Sequence, residues 1–177
     1  MFKKVCIIGC GLIGSSIARA IRKQNLSVKI VSSNRSDLVN KKVIELKIVD
    51  DSNSDTKKMA EGSDLIIIAT PLSSYEDVIL KIKDSLKNGS ILTDVGSVKE
   101  NVIGLIEKNV PKNVSWISSH PIAGTEESGP EAGFSELFKN KWCILTPSKK
   151  ANDKDIKLLE NFWKKMGSKV DIMEAKQ

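Results

Sequence analysis

A doubly wound α/β fold on a mostly parallel sheet is predicted by three features of the 177-residue sequence. Short apolar runs alternate with segments of helical period. One run, Leu65-Ile66-Ile67-Ile68-Ala69, is apolar at every position, which marks a strand covered on both faces. The connections are short, as they are between the strands and helices of such sheets.

The elements follow in order. Residues 4–8 read as a buried strand and 12–23 as a helix; 28–31 as a second strand and 38–46 as a helix; 65–69 as the fully covered strand. Ser73-Ser74-Tyr75-Glu76 has the spacing of a capping box and predicts a helix to about Leu86. Residues 91–93 read as a strand, 98–108 as a helix, and 114–118 and 142–145 as further short strands. Residues 153–166, followed by Gly167, form a helix with its stop signal, and 169–173 a last strand. All of this fits one domain over residues 1–177. Ligands in such sheets bind beyond the carboxyl ends of the strands. The loops of interest are therefore 9–14, 32–36, 70–74, 94–97 and 119–129.

Composition narrows the function. Hydrophobic residues are 40% and charged residues 28%, which excludes wholesale disorder. No apolar run approaches the roughly 20 residues of a membrane span. Met1-Phe2-Lys3-Lys4 before Val5-Cys6-Ile7-Ile8 imitates a signal peptide, but Gly9-Cys10-Gly11 interrupts it and no small-residue cleavage site follows. A soluble, cytoplasmic chain is expected. The net charge is +6, yet the lysines are scattered and aromatics are only 5%, so nucleic acid is not expected as a partner. An anionic small molecule or a phosphate-bearing cofactor suits the charge. Cys6, Cys10 and Cys143 match no zinc spacing, and a single histidine excludes a His-rich metal site. No metal is expected.

Gly9-Cys10-Gly11-Leu12-Ile13-Gly14 is a G-x-G-x-x-G between a strand and a helix, the context that makes it specific for a dinucleotide in a Rossmann-type sheet. Gly9 makes the turn, Gly11 admits the pyrophosphate, and Gly14 lets the helix approach the sheet. The helix start then favours the phosphates. An NAD enzyme normally carries Asp or Glu at the end of the second strand. Here the chain reads Ser32-Ser33-Asn34-Arg35-Ser36. An acid there would repel a 2′-phosphate, whereas Arg35 with Ser33, Asn34 and Ser36 as donors would bind one. NADP is preferred over NAD on this ground, against the plain alternative that Arg35 is a solvated loop cation. Thr70 and Pro71 follow the covered strand and are expected beside the cofactor, although Pro71 is also a simple strand terminator.

Two loops carry candidate chemistry. Ser97 in Asp94-Val95-Gly96-Ser97-Val98-Lys99-Glu100 is accounted for by a capping box with Glu100, a role compatible with facing the crevice. His120 lies in Ser119-His120-Pro121-Ile122-Ala123-Gly124-Thr125-Glu126-Glu127-Ser128-Gly129, expected as a loop after a strand. A lone histidine is usually a surface or satisfied core residue. At the sheet's carboxyl edge it is also a natural acceptor for an alcohol proton.

His120-Pro-Ile-Ala-Gly-Thr-Glu-x-Ser-Gly129, with Asp94-x-Gly-Ser-Val-Lys99 before it and Leu137-Phe138 and Ile144-Leu145-Thr146-Pro147 after it, resembles the prephenate/arogenate (cyclohexadienyl) dehydrogenase family. The resemblance runs from the glycine loop to about Met173. It implies an oxidoreductase of tyrosine biosynthesis that oxidatively decarboxylates prephenate or arogenate, with hydride passing to NADP or NAD. It also implies that His120 takes the ring-hydroxyl proton, that Ser97 bonds the same hydroxyl, and that Thr125 and Glu126 line the substrate pocket. Members of the family continue, where this sequence stops, into a His-Asp segment and a helical domain. That domain forms the homodimer and supplies an arginine for the ring carboxylate. An N-terminal nucleotide-binding portion lacking that domain is expected. A β-hydroxyacid-type dehydrogenase and an NADP-binding module without catalysis are the alternatives; the former lacks the His-Pro-x-Ala-Gly motif.

Overall fold

The apolar N-terminal run becomes β1 (Phe2–Ile8), whose side chains alternate between two cores: Val5 and Ile7 enter one, Cys6 and Ile8 the other. The same alternation recurs in Leu65 and Ile67 against Ile66 and Ile68. A strand buried on both faces has no polar side to show, which is why the run is apolar throughout. The computed structural model describes residues 1–97 and 100–174.

After β1 come α1 (Leu12–Gln24), β2 (Ser27–Ser33), α2 (Asp37–Glu45), β3 (Asp51–Asn53), α3 (Thr56–Ala60), β4 (Leu65–Ile68) and α4 (Tyr75–Ile82). Then follow β5 (Ile91–Asp94), α5 (Glu100–Asn109), β6 (Ser115–Pro121), β7 (Trp142–Pro147), α6 (Asp153–Lys165) and β8 (Lys169–Ile172). The eight strands form one sheet in the order β3-β2-β1-β4-β5-β6-β7-β8. β1 to β6 run parallel; β7 is antiparallel to β6, and β8 parallel to β7. The doubly wound, Rossmann-type expectation is thus met. α1, α2 and α6 cover one face with Ile17, Ile21, Val43, Leu159 and Trp163. α3, α4 and α5 cover the other with Met59, Ile79, Ile82 and Ile106.

Local chemistry sets the helix ends. α1 stops at Asn25, which takes a left-handed conformation (φ 53°), with Arg22 and Lys23 opposing the dipole in its last turn. Ser36 caps α2 by accepting from the Val39 amide, and Asn152 caps α6 by accepting from the Asp155 amide at 2.8 Å.

Several expectations are corrected. The capping box at Ser73 does not form. After Pro71 the chain enters a 3-10 turn, Leu72–Ser74, so Ser73 lacks the extended backbone of a cap, and no side chain caps α4. α4 ends at Ile82 and a second 3-10 turn, Lys83–Ser85, replaces its last turn. β3 and α3 were not foreseen. β2 is longer than expected, and β6 extends through His120 and Pro121 because β7 pairs with it, His120 opposite Ile144. His120 therefore stands on a strand and not in a loop. Val98 and Lys99, the start of the helix expected over 98–108, lie outside the described residues, and so does the Ser97–Glu100 capping box that spans them. Among the described residues no helix is long and apolar enough to cross a membrane.

Candidate functional site

The glycine loop is shaped by three different constraints. Gly9 has φ +94°, a conformation L side chains rarely adopt, and a Cβ there would stand 2.9 Å from the Ala69 carbonyl oxygen. A Cβ on Gly14 would collide with the carbonyl oxygen of Gly9. Gly11 is different: its backbone is extended (φ −77°) and nothing lies within 4 Å of its would-be Cβ. The space in front of Gly11 is open, and it faces the crevice.

A buried polar knot fastens this loop to β2. The Cys10 amide donates to Asn34 Oδ1 at 2.6 Å, and Asn34 Nδ2 donates to Asn40 Oδ1 at 3.0 Å. Asn40 Nδ2 returns a bond to the Asn34 carbonyl at 2.9 Å, while the Ser32 and Ser52 hydroxyls meet at 2.6 Å. Asn34 is thus engaged within the protein. Ser33 is buried, with its hydroxyl 3.0 Å from that of Thr56. Ser36 accepts the cap bond of α2, and Arg35 projects outward with its side chain 79% exposed. Burial pushes the Cys10 thiol up to about 11, although Ser32 and Asn34 pull the other way, so it is a packed thiol and no nucleophile.

Two adjoining cavities lie over the carboxyl ends of the parallel strands. One, of about 470 Å³, is walled by Gly9, Arg35, Ser36, Thr56, Asp77 and Lys81. The other, of about 520 Å³, is walled by Leu12, Ile13, Gly96, Ser97 and His120. They meet at Gly11, Ala69, Thr70 and Pro71, which line both. The Thr70 hydroxyl is buried there and meets no hydrogen-bond partner among the described residues. Such a group is costly unless a ligand satisfies it.

His120 is half-buried, and the strand that carries it is pinned from below. Asp94, fully buried, accepts at one oxygen from the Tyr75 hydroxyl (2.8 Å) and the Gly96 amide (3.0 Å). Its other oxygen accepts from the Ser118 hydroxyl (2.6 Å) and the Ser119 amide (3.3 Å). Asp94 thereby ties the Gly96 loop, which leads to Ser97, to the strand leading to His120. Ser119 Oγ lies 2.7 Å from Thr93 Oγ1 and accepts from the Trp163 indole at 3.2 Å. Burial, then the Asp94 charge and hydrogen bond, raise the Tyr75 phenol far above its ordinary value. Thr125 and Glu126 are exposed and do not wall either cavity; Thr125 Oγ1 accepts from the Glu127 amide at 3.1 Å.

Sequence reasoning quoted Asp94 and Tyr75 within their motifs but gave neither a role in the site. The available signal was a carboxylate closing an apolar strand, Ile91-Leu92-Thr93-Asp94, where burial demands partners. It did not foresee that Gly129, the end of the His120 motif, and Pro130 return to wall the first cavity.

The sequence signature described as "Prephenate dehydrogenase, nucleotide-binding domain" matches residues 17–172. The chain belongs to the prephenate dehydrogenase family. It is 34% identical over 175 residues to a cyclohexadienyl dehydrogenase of Zymomonas mobilis, covering 99% of this chain and 59% of that protein. It is 33% identical over 177 residues to a prephenate dehydrogenase of Lactococcus lactis, covering 99% of this chain and 48% of that protein. The structure of prephenate dehydrogenase from A. aeolicus in complex with hydroxyphenyl propionate and NAD+ superposes with a TM-score of 0.91. Identity there is 28%, over 99% of this chain and 61% of that one. The chain thus spans about half to three-fifths of the length of these family members.

The residues present fit the dinucleotide that such a domain implies. Gly11 leaves room for a pyrophosphate that any Cβ would fill, α1 begins directly after it, where a helix start favours phosphate, and Thr70 offers a buried hydroxyl at the join.

Proposed function

We propose that residues 1–177 form the nucleotide-binding domain of a cytoplasmic enzyme that oxidatively decarboxylates prephenate, arogenate or both, in tyrosine biosynthesis, with NADP preferred over NAD. The observation that carries the reading is the crevice itself. One end holds the glycine loop and Arg35, the other holds Ser97 and His120, and Thr70 stands between. A dinucleotide laid along it from Arg35 to His120 has its reactive end beside the histidine. Arg35, in a segment 32–36 that carries no Asp or Glu at the end of β2, supports recognition of a 2′-phosphate. Homodimerisation is assigned to a helical region beyond these residues.

The cofactor supplies hydride acceptance when bound. The chain supplies the rest. The neutral imidazole of His120 accepts the proton of the ring hydroxyl at a ring nitrogen as that carbon is oxidised. Ser97, in the same cavity, donates its hydroxyl proton to the oxygen of the same ring hydroxyl and orients it. Asp94 and Trp163 keep the strand under His120 from shifting, which matters because misplacement by an ångström is costly in rate. Loss of CO2 makes the ring aromatic, so orientation and a base suffice.

The test is His120→Asn in the full-length gene product, with NADPH formation from prephenate and from arogenate followed at 340 nm. Turnover is expected to fall by about 10²–10⁴-fold, with cofactor affinity within about twofold. Undiminished turnover would remove His120 as the base. A second reading is a dinucleotide-binding module without catalysis. It predicts NADPH binding with neither substrate oxidised.

A further inference from the structure

The Arg35 side chain does not stand alone in its cavity. Its Nη2 lies 3.7 Å from Asp77 Oδ2, which belongs to α4 on the opposite wall. The ammonium of Lys81, one turn further along α4, lies 2.9 Å from the same Oδ2. Two cations from opposite walls of the cleft thus converge on a single carboxylate oxygen. All three side chains are about half exposed or more, at 79% for Arg35, 51% for Asp77 and 55% for Lys81, so none is locked by packing.

We propose that Lys81 and Asp77 are specificity-determining residues of the nucleotide site. Lys81 is the second cation for a phosphate monoester held by Arg35, and Asp77 is the counter-ion that the phosphate displaces. This rests on the cofactor reading given above. A singly charged carboxylate offers each cation one oxygen. A phosphate monoester brings close to two negative charges and three acceptor oxygens, so it takes both cations at once. Asp77 opposes it twice: it occupies the cations, and it repels the phosphate. A nucleotide without the 2′-phosphate gains nothing from the two cations at this point and suffers little from Asp77. Selectivity is then set by the balance of three side chains, two of them outside the glycine loop and the end of β2.

Titration of the chain with NADPH and NADH, for the native protein and for Asp77→Asn, Lys81→Ala and Arg35→Ala, tests this. All three positions are exposed, and circular dichroism of each variant checks that it folds. Asp77→Asn should tighten NADPH by about three- to fivefold, and Lys81→Ala weaken it by a similar factor, as for exposed ion pairs. NADH should change by less than about twofold in both. Arg35→Ala should reduce the preference further, and every one of these differences should shrink as salt rises. Equal effects of Asp77→Asn or Lys81→Ala on the two nucleotides would overturn the proposal while leaving Arg35 as the lone reader, provided that Arg35→Ala still lowers the ratio. Binding of neither nucleotide by the native chain would overturn the underlying cofactor reading as well.

Discussion

Asp94 shows how one buried side chain organises a crevice. Its carboxylate takes hydroxyl and amide donors from α4, from its own loop and from β6. Tyr75 is the only tyrosine, so the pH-dependent rise in absorbance at 295 nm that marks a phenolate reports it alone. Its phenol is raised by burial and by Asp94, so no phenolate should appear between about pH 9 and 11 while the chain stays folded. The folded state then holds a proton that the unfolded state loses near pH 10. This contribution is intact below that pH and decays as pH rises above it. A normal phenolate titration in the folded chain would break the Tyr75–Asp94 assignment. Tyr75→Phe should cost about 1–3 kcal/mol in urea unfolding, as one acceptor loses a buried donor. The glycines make a sharper contrast. Gly11→Val has open space and an extended backbone, so the fold should survive with nucleotide binding abolished. Gly14→Val meets the Gly9 carbonyl and should lower the melting temperature markedly. Equal melting temperatures for the two would contradict the division of roles in the loop.

At the scale of elements, the segment following His120 acts as a strap across α1. The Phe134 amide donates to Ser16 Oγ at 3.1 Å and Arg19 donates to the Pro130 carbonyl at 2.8 Å. Gly133 fits so closely against Ser15, Ser16 and Arg19 that a Cβ there would clash. One continuous segment therefore carries His120 at one end of the crevice and Gly129 and Pro130 at the other. Gly133→Val should push the strap off α1 and weaken NADPH binding by about tenfold or more, since an ångström of misplacement is enough to disrupt such a site. Unchanged affinity would mean that the strap is only a cover. The elements most legible in the sequence were those with strong apolar period, β1, α1, β4 and α6. β3 and α3 were illegible because Asp51-Ser52-Asn53 has no apolar pattern. That strand exists through the Ser32–Ser52 contact and the Asn40 knot, which are long-range. The placement of His120 on β6 was hidden for a similar reason. Pro121 reads as a breaker, and only pairing with β7 carries the strand through it.

At the scale of the molecule, the sheet places residues from six loops over one edge, and the glycine loop and His120 motif were readable because their spacing carries the chemistry directly. The polar groups that hold those motifs in place, Asn40, Asp94 and Trp163, were not readable, since each acts through a partner distant in sequence: Asn40 through Ser52, Asp94 through Tyr75 and Ser118, and Trp163 through Ser119. A bound dinucleotide should stabilise the whole sheet: at 100 times the dissociation constant the gain is about 2.7 kcal/mol. The most direct test is a titration of the chain with NADPH and, separately, NADH, followed by the fluorescence of Trp116, Trp142 and Trp163 and of the nicotinamide. Saturable binding of both, with NADPH the tighter, is the predicted result. Binding of neither, or NADH the tighter, would contradict the assignment of the crevice and of Arg35.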